Sequence, residues 1–224
     1  MRLIFGFSLL LCSTLSHAEV LPNLMWGRSV VKVMADSRDG RVSMGSGVVV
    51  AANRVATNCH VTRMAHSITV IKGISRYKVT AQAAELVKDV CILHTRNLRL
   101  PSARLGDMGG AEIGEEVFVF GFPGAVGLGM VRGVVSGLHA YGSSQIVETD
   151  AGFMRGTSGG ALFDSQGFLI GLPTFMTNNE IGGHFYAVPI DWIMQIIDRK
   201  AEPIAPLQGR AFWETNTLFH DVED

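Results

Sequence analysis

The chain has 224 residues, of which 47% are hydrophobic and 17% charged, and its formal net charge at neutral pH is −1. This composition excludes a polar disordered chain, because so much apolar surface must be buried, and it offers no basic excess for binding nucleic acid. The 26 glycines beside only 7 prolines indicate many tight turns, as in an all-β protein of one domain or of two small barrels that share a cleft.

The N-terminal residues are typical of a secretory signal peptide. A short positive start is followed by an almost wholly apolar stretch at 3–11 and by Ser16-His17-Ala18, which predicts cleavage after Ala18. The apolar stretch is shorter than the ~20 residues of a spanning helix, which argues against an N-terminal membrane anchor. We therefore expect residues 1–18 to be removed, leaving a periplasmic or secreted protein without stable membrane insertion, in a compartment that permits disulfides.

Short runs rich in Val, Ile or Phe, bounded by Gly, Asn, Asp or Ser, predict β-strands along the chain. In chain order they are Ser29–Met34, Gly47–Ala51, Ser67–Ile71, Tyr77–Ala81, Val90–His94, Glu116–Phe120, Val131–Ser136, Ile146–Glu148, Phe168–Leu172 and His184–Val188. Residues 101–110 are predicted as the crossover between two halves. Isoleucines at helical spacing then predict a C-terminal helix from Pro189 to about Arg199. In the tail beyond it, the apolar pair Phe212-Trp213 is expected to cap a barrel, the alternative being a bound partner.

Gly156-Thr157-Ser158-Gly159-Gly160 is the strongest local signal for chemistry. A serine between glycines suits a nucleophile on a tight turn, because glycine adopts backbone shapes that a Cβ forbids. Such a turn lets the N–H groups of Gly156 and Ser158 hold the oxyanion of a tetrahedral intermediate. The alternative for the pentapeptide alone is a glycine-rich hairpin turn with a solvated serine.

Two further segments supply partners for this serine. His60 lies just after a strand of the first half, and Asp89 heads an apolar strand. A serine hydroxyl is a poor nucleophile without a neighbouring base, and an imidazole can take its proton. A carboxylate can hold the imidazole tautomer and stabilise its cation. The chain order of His60, Asp89 and Ser158 is that of the chymotrypsin arrangement.

The chain resembles the chymotrypsin-fold serine proteases of the HtrA/Deg type in an ordered series of short blocks. The blocks are Gly45-Ser46-Gly47, Thr57-Asn58-Cys59-His60-Val61, Asp89-Val90-Cys91-Ile92-Leu93, Leu105-Gly106-Asp107, Gly121-Phe122-Pro123-Gly124, Thr149-Asp150-Ala151, Gly156–Leu162, Leu169-Ile170-Gly171 and Tyr186-Ala187-Val188-Pro189. The resemblance implies an all-β fold of two six-stranded antiparallel barrels with a C-terminal helix. The first barrel would lie within 19–105, the second barrel and the helix within 106–199, and a tail at 200–224.

By this resemblance, His60, Asp89 and Ser158 are the catalytic triad of a serine endopeptidase, and the N–H groups of Gly156 and Ser158 form its oxyanion hole. The expected partners are polypeptide substrates, with no cofactor and no nucleic acid. No metal is expected, since the remaining histidines and cysteines show no ligand spacing. The alternatives are a non-cleaving peptide-binding protein of protease fold, a resting protease that requires activation, and an esterase with the same chemistry.

The chain also departs from this family and from the digestive trypsins. Too few residues follow Arg199 for the PDZ domain that HtrA/Deg proteases usually carry, so we expect the protease domain alone. Thr157 stands where digestive trypsins have an aspartate that pairs with a new N-terminus, so the oxyanion loop should be held by local contacts or by substrate. Cys59 and Cys91 replace small residues beside His60 and Asp89, and we expect a disulfide between them, the alternative being two buried thiols.

The specificity pocket follows from alignment with the family. Its predicted substrate-binding residues are Phe153, Thr174, Phe175, Met176 and Phe185. No acidic residue stands at Gly152, which disfavours cleavage after Arg or Lys. The crowded apolar pocket predicts cleavage after small apolar residues such as Ala or Val, along a strand edge where a peptide can pair. The alternative is that some of these side chains belong to the core.

Overall fold

The structure is a computed structural model, and it describes residues 22–179 and 182–215. The predicted signal peptide at 1–18 and the end of the predicted tail, 216–224, lie outside the described residues. The helices are α1 (Pro22–Trp26), α2 (Cys59–Thr62) and α3 (Ile190–Ile196), with 3-10 turns at Gly27–Ser29, Pro123–Ala125 and Phe212–Glu214. The strands are β1 (Val30–Asp36), β2 (Val42–Ala51), β3 (Arg54–Thr57), β4 (Ser67–Lys72), β5 (Ser75–Glu85), β6 (Val90–Thr95), β7 (Arg104–Leu105), β8 (Glu116–Gly121), β9 (Gly129–Tyr141), β10 (Ser144–Thr149), β11 (Ala161–Asp164), β12 (Phe168–Asn179), β13 (Gly182–Pro189) and β14 (Glu202–Pro203).

The first barrel is formed by β1 to β6. The strands follow the order β5-β4-β1-β2-β3-β6, and β6 pairs back onto β5 to close the antiparallel sheet. Because side chains alternate along a strand, Val31 and Val33 of β1 share one face, and they pack inside the barrel with Val55, Ile68 and Leu93. The antiparallel pairing of β3 with β6 places the end of β3 beside the start of β6, at one rim of the barrel.

The second barrel is formed by β8 to β13 in the order β11-β8-β9-β10-β13-β12, closed by pairing of β12 with β11. Its core contains the buried rings of Phe120 and Phe163, and it extends across the barrel interface to Val48 and Ile92. The pairing of β7 with β12 is parallel. Thus residues 104–105, which the predicted boundary counts with the first barrel, pair in the second.

The predicted all-β architecture of two six-stranded barrels is confirmed by this topology. Four strands were not predicted: the barrel strands β3 and β11, of four residues each, and the two-residue strands β7 and β14. Strands this short show too little alternation to be recognised. The predicted helix is found as α3, but it ends at Ile196 rather than near Arg199. No helix among the described residues is long and apolar enough to cross a membrane.

The chain after α3 returns to the first barrel as a segment that we call the C-terminal segment (residues 200–215). Its strand β14 pairs with β5, and the N–H of Leu207 donates to the carbonyl of Arg63 at 2.7 Å. Phe212 and Trp213 are both buried. Phe212 packs against Tyr141 at 4.7 Å between ring centroids, so the segment bridges the two barrels.

Candidate active site

His60 and Asp89 meet at the rim of the first barrel where β3 ends and β6 begins. His60 lies in the single turn of α2, directly after β3, and Asp89 precedes β6. The imidazole Nδ1 of His60 lies 2.6 Å from Oδ2 of Asp89, and the His60 N–H donates to Oδ1 at 2.8 Å. The Asp89 carboxylate is fully buried while the imidazole is partly exposed. Asp89 has a φ of 56°, a left-handed conformation that aspartate tolerates better than most residues.

A disulfide joins the two segments that carry this pair. Cys59 and Cys91 are bonded with an S–S distance of 2.09 Å. In the register of β3 and β6, Thr57 lies opposite Cys91, and the N–H of Cys59 donates to the Asp89 carbonyl at 3.3 Å. The covalent bond therefore continues the strand pairing up to the residues beside His60 and Asp89.

Ser158 lies on a tight loop that requires glycine on both sides. Gly156 has a φ of +94° and Gly159 a φ of +80°, both in the region that favours glycine. A Cβ at Gly156 would lie 2.5 Å from the carbonyl oxygen of Phe122, and one at Gly159 would lie 2.3 Å from the Thr57 hydroxyl. The loop thus packs so closely on its neighbours that no side chain fits at either position.

Contacts from outside the loop hold its backbone. The Ser46 hydroxyl donates to the carbonyl of Gly156 at 2.7 Å and accepts from the N–H of Phe122 at 2.8 Å. The N–H of Gly124 donates to the carbonyl of Arg155 at 2.8 Å, and the N–H of Ser46 donates to the carbonyl of Ser158 at 2.9 Å. Local hydrogen bonds therefore hold the loop.

The same contacts orient two N–H groups toward open space. In a trans peptide the C=O and N–H point in opposite directions. The carbonyl of Arg155 is held by Gly124, and that of Thr157 accepts from Gly160 at 2.9 Å, so the following N–H groups, of Gly156 and Ser158, face the other way. Within the described part of the chain, neither N–H donates to a protein acceptor.

The Ser158 hydroxyl does not contact the imidazole in this structure. Its Oγ donates to the carbonyl oxygen of Thr174 at 3.3 Å, and no hydrogen bond joins it to His60 among the residues the structure describes. Both side chains nevertheless line the same cavity. A hydrogen bond from the hydroxyl to the imidazole would therefore replace the one to the Thr174 carbonyl.

The cavity has a volume of about 290 Å³ and lies between the barrels. It is lined by Ser43, Met44, His60, Val61, Phe153, Met154, Arg155, Gly156, Ser158, Thr174, Phe175, Met176 and Trp213. A second cavity of about 310 Å³ shares Ser43, His60 and Val61 with it and adds Met64. The cleft therefore continues past the imidazole in both directions.

The predicted pocket residues divide into two groups. Phe153, Thr174, Phe175 and Met176 line the cavity. Phe185 does not line it: its partly buried ring packs against Phe153, with centroids 5.2 Å apart. The sequence placed Phe185 in the pocket by its position in the chain, whereas the structure places it beside a lining residue.

Trp213 is the site residue that sequence reasoning missed. Its indole N–H donates to Oδ2 of Asp89 at 3.1 Å, and its ring stacks on Phe175 with centroids 5.3 Å apart and planes 14° apart. The two residues that form the hydrogen bond are 124 positions apart. No local sequence pattern links Trp213 to Asp89. The sequence indicated only that the apolar pair Phe212-Trp213 would be buried.

A second group of titratable side chains lies on the second barrel, away from the cavity lining. Glu148 contacts His139 and His184, each at 2.6 Å. Burial works to raise the pKa of Glu148, but the hydrogen bonds with His184 and His139 outweigh it and lower the pKa below its ordinary value. Within residues 22–179 and 182–215, no group of three or more His, Cys, Asp or Glu could hold a metal ion.

Comparison with known proteins gives the same family for sequence and structure. The chain is 31% identical over 161 residues to the serine endoprotease DegS of Haemophilus influenzae, covering 66% of this chain and 47% of DegS. It is 29% identical over 167 residues to a probable periplasmic DegP-like serine endoprotease of Halomonas elongata, covering 71% of this chain and 35% of that protein. The chain thus spans less than half the length of these curated relatives.

Solved structures agree in fold. The active form of the Rv3671c protease from M. tuberculosis superposes with a TM-score of 0.73 at 22% identity, covering 85% of this chain and 88% of that one. A serine endoprotease from Yersinia pestis superposes with a TM-score of 0.67 at 26% identity, covering 77% and 62%. The predicted resemblance to HtrA/Deg proteases is confirmed, and the family model for the trypsin-like peptidase domain matches residues 45–172. The chain therefore belongs to the trypsin-like peptidase family.

Proposed function

We propose that this chain is an exported serine endopeptidase in which His60, Asp89 and Ser158 carry the reaction. One observation supports this most strongly: the imidazole of His60, hydrogen-bonded to the buried carboxylate of Asp89, lines the same cavity as Ser158. A nucleophile, a base and a group that orients the base are the parts that acyl transfer requires. The unpaired N–H groups of Gly156 and Ser158 supply the fourth part, an oxyanion hole.

The reaction begins when the Ser158 hydroxyl turns from the Thr174 carbonyl toward Nε2 of His60. The Oγ–H proton passes to Nε2, Oγ bonds to the scissile carbonyl carbon, and the C=O π pair moves onto oxygen. The resulting oxyanion accepts hydrogen bonds from the N–H groups of Gly156 and Ser158. Asp89 holds the imidazole through Nδ1 and stabilises the imidazolium.

The tetrahedral intermediate then collapses to an acyl-enzyme. The C–N bond breaks, and its electron pair takes the proton that Nε2 of His60 donates, so the amine leaves neutral. Water enters, gives a proton to the imidazole, and attacks the ester carbon. The C–Oγ bond breaks, and His60 returns the proton to Ser158. No cofactor takes part in this balance of atoms and charges.

The substrate is proposed to be an extended polypeptide. The hydrogen bond that Ser158 gives up leaves the carbonyl of Thr174 free to accept a substrate backbone N–H, which is how a peptide joins a strand edge. Phe153, Phe175 and Met176 make the adjoining wall apolar. Arg155 also lines the cavity, and its charge opposes substrates with Arg or Lys at the cleaved bond. We therefore propose cleavage after small apolar residues.

A resting protease is the second candidate, and one observation favours it. In this structure the Ser158 hydroxyl is engaged by Thr174 instead of by His60. A resting enzyme would keep this arrangement until a peptide backbone N–H displaced the serine from the Thr174 carbonyl. A non-cleaving peptide-binding protein would keep it in the bound state as well.

We propose export to the periplasm as the setting of this activity. Two proteins similar to this chain, one from Halomonas elongata and one from Ectopseudomonas mendocina, are named probable periplasmic serine endoproteases. A disulfide such as Cys59–Cys91 persists in oxidising compartments.

The test compares the full chain with its Ser158→Ala and Ser43→Ala variants. Ser43 lines the same cavity without a proposed role, so it is the matched control. We expect fluorophosphonate labelling and cleavage of a peptide library by the wild type and by Ser43→Ala, and neither by Ser158→Ala. Cleavage retained by Ser158→Ala would overturn the assignment of the nucleophile. A folded wild type that neither labels nor cleaves, with peptide present, would favour the non-cleaving protein, and ester cleavage alone would favour an esterase.

A further inference from the structure

We propose that Trp213 is a positioning residue for the His60–Asp89 pair and also forms a wall of the substrate cleft. This inference rests on the proposed peptidase function. It adds to the proposed active site a residue from the chain that follows the second barrel and α3. The C-terminal segment brings Trp213 back across the first barrel to the rim where the pair lies. The segment would thereby complete the site instead of only covering the core.

The first argument is the hydrogen bonding of the Asp89 carboxylate. Its Oδ1 accepts from the backbone N–H of His60, and its Oδ2 is shared by His60 Nδ1 at 2.6 Å and the Trp213 indole at 3.1 Å. A fully buried carboxylate is costly unless such donors satisfy it. The indole N–H is a donor only, so Trp213 holds Oδ2 from a second side and fixes the direction of the carboxylate toward the imidazole.

The second argument is the packing of the indole ring. It meets the His60 ring edge to face, with centroids 5.6 Å apart and planes 89° apart, and it stacks on Phe175. Such aromatic pairs contribute beyond the area they bury. One face of the imidazole site is thus closed by Trp213, which also lines the main cavity. A substrate side chain that lies in this part of the cleft would contact the indole.

The third argument is the way in which the C-terminal segment is anchored. Glu214 forms a bidentate ion pair with Arg63, at 2.6 and 2.7 Å, and Arg63 is the C-cap residue of the helix that carries His60. The N–H of Phe212 donates to the carbonyl of Val87 at 2.9 Å, two residues before Asp89. The residues on either side of Trp213 therefore hold the two segments that carry the pair.

A purely structural cap would bury Phe212 against Tyr141 and Trp192 without contact to the reacting groups. The indole hydrogen bond to Asp89 distinguishes the two roles, so the first experiment measures that bond directly. The protein has three tryptophans, and labelling with 15N-tryptophan gives one indole N–H resonance for each. Trp213→Phe identifies the resonance of Trp213. We expect Asp89→Asn to move it, because the acceptor loses its charge, and to leave the Trp26 resonance in place.

The second experiment separates positioning from packing by kinetics. Trp213→Phe keeps a ring and loses the N–H, so kcat should fall roughly tenfold to a hundredfold with little change in KM. Trp213→Ala also removes the wall, so KM should rise as well. Trp26→Phe is the control, since that ring packs on Phe118 and Phe163 in the second barrel, and both constants should stay at the wild-type values.

The outcomes separate this proposal from the proposed function. A wild type that cleaves, with a folded Trp213→Phe of equal kcat, overturns the positioning role alone. A Trp213 resonance that does not move in Asp89→Asn also overturns it. If Trp213→Phe fails to fold, Trp26→Phe and Trp192→Phe assign the Trp213 resonance by elimination, and this measurement then decides the matter. A wild type that neither labels at Ser158 nor cleaves overturns the proposed function and, with it, the positioning role.

Discussion

The two sides of the cleft are built in different ways. On the first-barrel side, His60 and Asp89 already contact each other, and a disulfide and the Trp213 indole reinforce the pair. On the second-barrel side, a glycine-rich loop carries Ser158, whose hydroxyl is turned to the Thr174 carbonyl. The proposed base is thus held by side-chain contacts, whereas the proposed nucleophile lies on a loop that backbone geometry and backbone hydrogen bonds shape.

The difference follows from what each side must do. A buried carboxylate is costly unless hydrogen-bond donors satisfy it, and the backbone N–H of His60, its imidazole and the Trp213 indole all contact Asp89. An oxyanion hole needs bare N–H groups close to substrate, which bulky side chains would block. The Ser158 loop therefore uses Gly156 and Gly159 and is held from behind by Ser46 and Gly124.

The largest fall in kcat is expected for Gly156→Ala, which changes the loop that carries Ser158. A Cβ there would lie 2.5 Å from the Phe122 carbonyl oxygen at a φ of +94°, so the loop must shift and the Gly156 N–H must turn away. We expect kcat to fall roughly 10²- to 10³-fold, as for loss of an oxyanion-hole donor. Active-site titration with a fluorophosphonate and steady-state kinetics on a cleaved peptide measure it.

Gly142→Ala is the matched control for this loop. Gly142 also has a positive φ, +62°, but a Cβ there meets nothing within 4 Å. It should cost stability of about 1 kcal/mol through backbone strain and leave kcat unchanged. If both variants lost activity equally, general strain and not the oxyanion loop would explain the effect.

The next largest effect is expected when Cys59 and Cys91 are both replaced with alanine. This change removes the disulfide between the segments that carry His60 and Asp89. The cross-link spans a sequence separation of 32, and its loss should lower the free energy of unfolding by about 2–4 kcal/mol. Urea titration followed by fluorescence measures this loss. Because hydrogen bonds still hold His60 to Asp89, kcat should fall less than for Gly156→Ala. A larger fall in kcat would mean that the disulfide, not the hydrogen bonds, sets the base.

The smallest effect should come from Glu214→Gln in the C-terminal segment, and it should depend on pH. Burial works to raise the pKa of Glu214, but hydrogen bonds from Arg63 and from the Ala211 N–H outweigh it and lower the pKa. A carboxyl with a lowered pKa in the folded state stabilises the fold above its ordinary value of 4.5 and loses that contribution as the pH falls. The variant should therefore be less stable by about 1 kcal/mol at neutral pH, with a smaller difference in acid.

Thermal melts of the wild type and Glu214→Gln across pH measure this trend. Glu202→Gln is the control, because its exposed carboxylate lies 3.5 Å from an exposed Lys200, and it should follow the wild type at every pH. A stability difference for Glu214→Gln that stays constant into acid would contradict an ion-paired anchor.

The sequence could predict the parts of this molecule that short patterns encode. Most barrel strands of five or more residues contain a run rich in Val, Ile or Phe, and the Ser158 loop is marked by glycines that its φ angles require. β3 and β11 were not predicted, because a strand of four residues shows too little alternation of apolar and polar residues to be recognised. His60 and Asp89 could be paired in advance because the order of short blocks matches a family, not because spacing alone brings them together.

The rest depended on packing between distant residues. Phe185 packs against Phe153 without lining the cavity, and no pattern in the sequence tells which of the two rings lines it. The Ser158 hydroxyl donates to the carbonyl of Thr174 in another strand. Trp213 reaches Asp89 only because the C-terminal segment pairs with β5 and anchors on Arg63, a path that the sequence gives no reason to expect.

The return of the C-terminal segment to the first barrel has a consequence for the order in which the site can be assembled. Synthesis from the N-terminus presents residues 60, 89 and 158 before residue 213. A chain whose C-terminal segment has not yet docked on the first barrel therefore holds the hydroxyl, the imidazole and the carboxylate without the indole. If Trp213 positions the pair as we propose, full reactivity waits for that docking.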